Sequence, residues 1–477
     1  MFEQTLVSSI LDRPREIRMR ALSRRQVLAG ALGFGVAFGL SQLPGIDGVD
    51  WTSDASATRL GDSTRLRQSQ LAAGSVTARL EADFVDSIGV NIHASYTDTA
   101  YARSTQVIEL LELLGVRHVR DELKPNRPDC VSTWSALGAR GIKTLFIIGD
   151  PLDRWGYGTL QQDLDVLRTQ LMNAADGIEG PNEFDGTIPE WQAMLRSYQA
   201  VLWESVQGSP TLRGLPVLAP SFSSPSVLAE AGTWDMYSNV SNIHPYAGGQ
   251  VPTYNLVSQL SALNSIGSRT PIFATEAGYS NALNSSALNS VGFQPAVPES
   301  VAATYTLRTF LDFFLVGIHR TYGYELFDEW ADPHLVNPQA NFGLVRYDGS
   351  PKASYLALQN LLKILSSMPS TRSTTPRAIS LSVLPNNGTD ALLRTLLLQH
   401  DASTFDLVLW RDTFLYSTVN RSAIPDIPRE VDVRLPAVSR VLGYDPRLSS
   451  SPSSVLSSGT SLKVPVSGTP VILRFTA

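Results

Sequence analysis

From residue 84 onward, short apolar runs alternate with segments in which apolar residues recur every three or four positions. The runs read as strands and the periodic segments as amphipathic helices. Phe84–Tyr96 (FVDSIGVNIHASY) predicts a first strand with a polar tip, and Thr105–Gly115 a helix stopped by its glycine. Val116–Leu123, Ile142–Asp150 and Gly177–Phe184 (GIEGPNEF) predict strands two to four, with helices near Val131–Arg140 and over Gln161–Met172 between them. Pro189 opens the next helix, where proline suits the first turn. Leu215–Phe222, Val240–Ala247, Pro271–Ser280 (containing IFATEAGY) and His319–Trp330 predict strands five to eight. Helices are expected near Ser226–Tyr237, Leu256–Ile266 and Val301–Gly317, and a last one over Lys352–Ser367. Eight strand–helix units over residues 84–368 predict a (β/α)₈ barrel. The competing α/β layout, a doubly wound open sheet, is weakened because no G-x-G-x-x-G follows the first strand.

After Ser367 the pattern changes. Residues 369–376 are rich in Ser, Thr and Pro and read as a linker. Residues 377–477 carry alternating segments (DLVLWRD, REVDVRLP, SRVLGYD, SLKVPV, PVILRFTA) separated by Ser/Gly/Pro turns, with a Ser-rich loop at Ser449–Ser458. This predicts a C-terminal all-β sandwich, an accessory domain that braces the barrel or binds sugar. Residues 58–83 precede the barrel; Val76–Phe84 (VTARLEADF) alternates and is expected to add to that sandwich.

Ser23-Arg24-Arg25-Gln26-Val27-Leu28 stands before an uncharged, glycine-rich run from Val27 to Leu43, which is 17 residues long (43 − 27 + 1). A membrane span needs about 20 apolar residues, so a stable span in the mature form is the weaker reading. The motif resembles a twin-arginine export signal, with Ala55-Ser56-Ala57 as a processing site. Residues 1–57 then form a leader read by the twin-arginine export machinery, and the protein is bacterial and extracytoplasmic, secreted or attached to the cell envelope.

Composition narrows the chemistry. With 43% hydrophobic and 17% charged residues the chain has ample material for a core, and a net charge of −6 argues against a nucleic-acid partner. The one cysteine, Cys130, excludes an intrachain disulfide and a Cys-based zinc site; on a helix it reads as packing. The six histidines form no H-x-x-x-H pair, and neither G-x-x-x-x-G-K nor G-x-S-x-G occurs, so no metal, nucleotide or other cofactor is expected.

Barrel active sites gather where strands end. The strand ends here carry Asn91 and His93, Arg120, Asp150, Asn182 and Glu183, His244 and Tyr246, Glu276, and Glu325, Asp328, Glu329 and Trp330. Two carboxylates at one barrel mouth, Glu183 and Glu276, are the minimum equipment for cleaving a glycosidic bond. Each has a plainer reading. Glu183 also fits an exposed turn and Glu276 a helix N-terminal charge; Arg120 fits an ion pair with Asp121 or Glu122, and His93 and His244 fit rim histidines.

Asn-Glu closing strand four and Glu closing strand seven, 93 residues later (276 − 183), resemble clan A of the retaining (β/α)₈ glycoside hydrolases. The resemblance covers roughly residues 80–368, and the trailing sandwich is similar to that of several families in the clan; it does not fix the family. It implies Glu183 as acid/base and Glu276 as nucleophile, with Arg120 and Tyr246 as donors to Glu276. Asn182 would hold the sugar hydroxyl beside the anomeric carbon. His93, His244 and Glu325 join the substrate-binding set, and Trp155, Tyr157, Tyr279, Tyr324 and Trp330 are expected as aromatic sugar platforms. The strand-eight sequence YELFDEW departs from the clan, which often has a Trp there, and leaves that place to Phe327 or Trp330. The long polar loop from Ser280 to Ser300 is a candidate lid. The implied function is an exported retaining glycosidase acting on a polysaccharide or cell-wall glycan by double displacement. A transglycosylase would use the same residues, and a catalytically silent carbohydrate-binding barrel is the alternative from another class.

Overall fold

The computed structural model describes residues 74–154, 156, 158–268, 270–286, 294–366, 375–386, 388–436, 440–456 and 460–477. The expected leader, Trp155, Tyr157, part of the Ser280–Ser300 loop and most of the expected linker lie outside the described residues. The described chain opens with β1 (Gly74–Thr77), β2 (Arg79–Leu80) and α1 (Glu81–Asp86). Eight parallel strands follow: β3 (Ile88–Asn91), β4 (His118–Glu122), β5 (Lys143–Ile147), β6 (Ala175–Glu179), β7 (Val217–Leu218), β8 (Ser241–Ile243), β9 (Ile272–Ala277) and β10 (Arg320–Gly323). They pair in the order β7-β6-β5-β4-β3-β10-β9-β8. Leu218 bridges Val240, and the bonds Asn239 N to Val217 O and Ala219 N to Val240 O, both 2.9 Å, bring β7 beside β8. The (β/α)₈ barrel expected from the sequence is the observed fold.

The intervening helices are α2 (Ser104–Leu114), α3 (Pro128–Ala139), α4 (Leu160–Val166), α5 (Trp191–Gln207), α6 (Pro225–Ala231), α7 (Thr253–Ser265), α8 (Glu299–Val316) and α9 (Ala353–Leu365). Local chemistry sets several ends. Gly115 takes φ +88° after α2, where a side chain would be strained, and Thr159 with Gln162 forms a capping box at α4. Cys130 is buried on α3, and burial, the largest influence, pushes its thiol up to about 12, as suits packing rather than reactivity.

The first expected strand starts too early. Phe84–Asp86 belong to α1, and the strand begins only at Ile88; because barrel strands are buried on both faces, the apolar run alone does not mark where helix ends and strand begins. Phe84 seats edge-on against Phe314 of α8, with centroids 5.1 Å apart.

After the barrel come β11 (Ala378–Pro385), β12 (Leu393–Gln399), β13 (Thr404–Arg411), the short pair β14 (Tyr416–Ser417) and β15 (Ser422–Ala423), then β16 (Arg429–Arg434), β17 (Val441–Tyr444), β18 (Ser454–Leu456), β19 (Ser461–Val466) and β20 (Val471–Thr476). Apart from the β14–β15 pair, they form two further sheets, β1-β11-β16-β19 and β18-β17-β20-β13-β12-β2. The segment before the barrel thus supplies a strand to each: β1 pairs antiparallel with β11 (Ala378–Pro385), and β2 parallel with β12 (Leu393–Gln399). Neither β11 nor β12 is among the strands expected from the sequence. The reason for β12 is burial on both faces: all seven residues of LRTLLLQ are buried, so no alternation survives to mark a strand. In β13 (Thr404–Arg411), Phe405, Leu407 and Leu409 face the core between the two sheets, while Val408 and Trp410 join the core under α8 and α9.

This second face explains α8. Its polar Arg308 and Asp312 are fully buried because Arg308 pairs with Asp412 and Asp312 accepts the Trp410 Nε1 proton at 2.9 Å. Trp410→Ala should therefore cost about 3–5 kcal/mol, the usual price of deleting a buried aromatic. Chemical denaturation checks this: the midpoint falls with an unchanged slope, and a loss under about 1 kcal/mol would mean that the junction is not tightly packed. Among the described residues no helix is long and apolar enough to cross a membrane.

Candidate active site

The C-terminal ends of the barrel strands bring the sequence-predicted carboxylates together. Glu276 lies inside β9, buried to 8% exposure. Glu183 does not end a strand as expected. β6 stops at Glu179, since Gly180-Pro181 follows and proline offers no ladder N–H. Glu183 sits in the turn beyond, half-buried, with φ +40°. Its backbone N–H donates to Ser221 Oγ at 3.2 Å. Single atoms of Glu183, His244 and Glu276 lie within 4.8 Å of one another, so the two carboxylates face one small gap.

Arg120, on β4, is 1% exposed and commits all five of its N–H donors. Nε and Nη2 grip Glu179 at 2.6 and 2.7 Å; Nη1 reaches Glu276 Oε1 at 2.7 Å and Asn91 Oδ1 at 3.0 Å; Nη2 also donates to Asn182 Oδ1 at 2.6 Å. The surface pairing with its neighbours is excluded. Asp121 points to the helix side, where it accepts the Trp134 Nε1 proton at 2.7 Å. Ser221 Oγ also donates to Asn182 Oδ1, at 2.8 Å, which leaves the amide NH₂ of Asn182 to donate elsewhere.

Tyr246 donates its hydroxyl to Glu276 Oε2 at 2.8 Å. Burial alone would raise the Glu276 pKa and is the largest influence. The His244 and Arg120 charges, with the Tyr246 and Arg120 hydrogen bonds, outweigh it and hold the carboxyl down at about 2. His244, wholly buried, contacts Glu183 Oε1 through Nδ1 at 2.7 Å and Thr275 Oγ1 through Nε2 at 2.9 Å. Burial lowers its pKa, but the Glu276 charge and then Glu183 more than reverse this, so the net shift is upward.

The other expected residues separate into two groups. His93, at the end of β3, stacks on Tyr96 (centroids 4.3 Å) and meets Tyr324 edge-on at 5.7 Å. Tyr324 follows β10 directly, is half-buried, and lies against Tyr246 with centroids 6.0 Å apart. Of the strand-eight aromatics, Phe327 is instead fully buried against Tyr101, and Trp330 is half-buried further along the chain. Glu325 corrects the sequence reading. It has no exposed surface, Oε2 accepts from Tyr101 at 2.8 Å, and His93 Nε2 is 3.4 Å away, so it supports the wall rather than lining it. Burial, then the Glu329 charge, pushes its carboxyl well above the ordinary range. Tyr279 is also corrected. It is 7% exposed, packs on Tyr305 at 5.3 Å and donates to Gln250 O at 3.1 Å, in a cluster with Leu415 and Tyr416 of the C-terminal region.

Sequence reasoning passed over Glu179, Asn242 and Thr275. All three are buried within the barrel and bonded to the residues above. A charged residue inside the apolar run GIE was the available signal for the first.

No protein-family model and no curated protein matches the chain. Solved structures do match in fold. A family 39 glycoside hydrolase from the gut symbiont Bacteroides cellulosilyticus WH2 aligns over 82% of each chain at 16% identity, with a TM-score of 0.55. A monomeric β-xylosidase from Caulobacter crescentus CB15 aligns over 84% of this chain and 97% of its own, at 13% identity and a TM-score of 0.54. The GH39 enzyme from Xanthomonas axonopodis pv. citri covers 85% and 95% at 12% identity, with a TM-score of 0.50. The chain thus shares its fold with these glycoside hydrolases.

Proposed function

We propose that this chain is an exported retaining glycoside hydrolase that acts on a polysaccharide or cell-wall glycan. The observation that carries the reading is the single gap between Glu183 and Glu276, spanned within 4.8 Å at the C-terminal end of the barrel. Retaining glycosidases place their carboxyl groups about 5–5.5 Å apart, whereas inverting ones need about 6.5–9.5 Å to admit water. Glu276, kept ionised by Arg120 and Tyr246, attacks the anomeric carbon. Glu183 gives its proton to the leaving oxygen, then takes one from the water that releases the sugar. Asn182 donates its amide NH₂ to the hydroxyl beside the anomeric carbon, and His93 and Tyr324 form a wall of the sugar site.

Two further lines support the assignment. The twin-arginine-like segment supports export, hence a substrate outside the cytoplasm. The family 39 structures named above supply glycosidases of the same fold. The experiment is covalent trapping with a panel of 2-deoxy-2-fluoro glycosides bearing good leaving groups, followed by peptide mass spectrometry. The expected adduct is on Glu276. An adduct on another residue would reassign the nucleophile, and no adduct or turnover across the panel would remove the glycosidase reading.

A further inference from the structure

Beneath the two catalytic carboxylates lies a third, Glu179, on β6 with no exposed surface. One branch of its bonds runs to the nucleophile. Both carboxylate oxygens hold Arg120, at 2.6 and 2.7 Å, and this fixes the guanidinium plane so that Nη1 meets Glu276 and Nη2 meets Asn182.

The other branch runs to the acid. Glu179 Oε1 accepts from Asn242 at 2.8 Å, and a carboxylate gripped by an arginine only accepts, so the amide nitrogen of Asn242 must face it. The Asn242 oxygen is thereby turned to Thr275, whose hydroxyl donates to it at 2.6 Å. A hydroxyl has one proton. With that proton spent, Thr275 Oγ1 accepts from His244 Nε2–H at 2.9 Å. The tautomer of His244 is then set: Nε2 carries a proton, and the exchangeable one lies at the 2.7 Å contact between Nδ1 and Glu183 Oε1.

We infer that Glu179 is a positioning residue that aligns both halves of the reaction, the nucleophile through Arg120 and the acid through Asn242, Thr275 and His244. The inference rests on the glycosidase reading and goes beyond it by assigning the source of the His244 tautomer. Charged groups facing His244 are Glu183 beyond β6, Glu276 of β9 and Arg120 of β4.

The two branches are read separately. Covalent labelling of Glu276 by a fluoroglycoside with a dinitrophenolate leaving group needs no acid and reports the Arg120 branch. The basic limb of kcat/KM on a substrate with a poor leaving group reports the proton held by Glu183 and His244. Thr275→Val removes the acceptor of Nε2–H, moves the His244 proton to Nδ1 and leaves Glu183 without its own. The basic limb should shift to lower pH, with the labelling rate within about 3-fold of wild type, since the acid step alone is touched. Glu179→Gln should slow labelling about 10²-fold and shift the limb the same way, with KM changed less than kcat, because both alignments are lost. Glu179→Asp keeps the counter-charge for Arg120 but cannot hold both nitrogens. It should fold with near wild-type stability and lose about 10-fold in labelling, and so serves if the Gln variant does not fold. In an Arg120→Gln background, Glu179→Gln should slow labelling little further. Labelling of folded Glu179→Asp and Glu179→Gln at the wild-type rate, an unmoved basic limb in Thr275→Val, or additive losses with Arg120→Gln would overturn the inference. Wild-type protein that no fluoroglycoside labels would instead overturn the glycosidase reading, a distinct result.

Discussion

Glu276→Gln should abolish turnover, with kcat down on the order of 10⁴-fold or more, while glycan binding survives. The amide keeps the shape of the carboxyl and its acceptor for Arg120, but it cannot form the glycosyl ester. Steady-state kinetics on the best substrate of a glycan panel, paired with calorimetric binding to the same glycan, checks both halves. Retained turnover would show that Glu276 is not the nucleophile. The variant also has a pH signature in stability. The Glu276 pKa falls from an ordinary 4.5 to about 2 in the folded protein, so its ionised form favours folding above about pH 4.5, and this contribution is lost as the pH falls toward 2. The Gln variant lacks it. The melting temperatures of wild type and variant should differ most at neutral pH and converge on acidification. A gap that widens as the pH drops would contradict the ion pairing with Arg120 and His244.

The barrel was legible because its strands and helices carry different apolar periods, and because glycines and prolines mark the joints. Where period failed, burial on two sides was the cause. The strand LRTLLLQ lies between barrel helices and a second sheet, and α8 buries Arg308 and Asp312 against the C-terminal region. In both, the simple contrast of wet and dry faces is gone.

The site was legible in part for a related reason. Arg120 and Glu276 lie in strands, His244 and Tyr246 just past one, and Asn182 and Glu183 in the turn beyond β6, and a polar residue near a strand's C-terminal end is visible one strand at a time. Their meeting within one gap depends on barrel closure. Glu325 and Tyr279 occupy tips as well, yet the first is sealed behind His93 and Tyr101 and the second turns into the cluster under Val297 and Tyr416. Tip position sets the end of the barrel on which a residue lies, and neighbours from other strands decide whether it reaches the cavity. Glu179 is the opposite case. It sits inside its strand, where a lone acid in a dry run is costly unless paired, and its partner Arg120 comes from two strands away, with β5 between.

Glu183→Ala is the second large effect, and its size should depend on the substrate. For a glycan or alkyl glycoside the leaving oxygen needs a proton, and loss of the acid should cost about 10²–10⁴-fold in kcat/KM. For a dinitrophenyl glycoside the leaving group departs as an anion, so formation of the glycosyl-enzyme should remain close to wild type. Release of that intermediate is then slow, because no base activates water, and kcat and KM should fall together while their ratio holds. A small anionic nucleophile such as azide needs no base. It should restore turnover and give a glycosyl azide with the anomeric configuration of the substrate, since two displacements have occurred at the same carbon. An inverted azide product would show that attack takes place directly on the substrate, and that Glu276 supports charge without forming a bond. Equal losses on both substrate types, with no azide rescue, would place Glu183 outside proton transfer and leave His244, 2.7 Å away, as the group to test next.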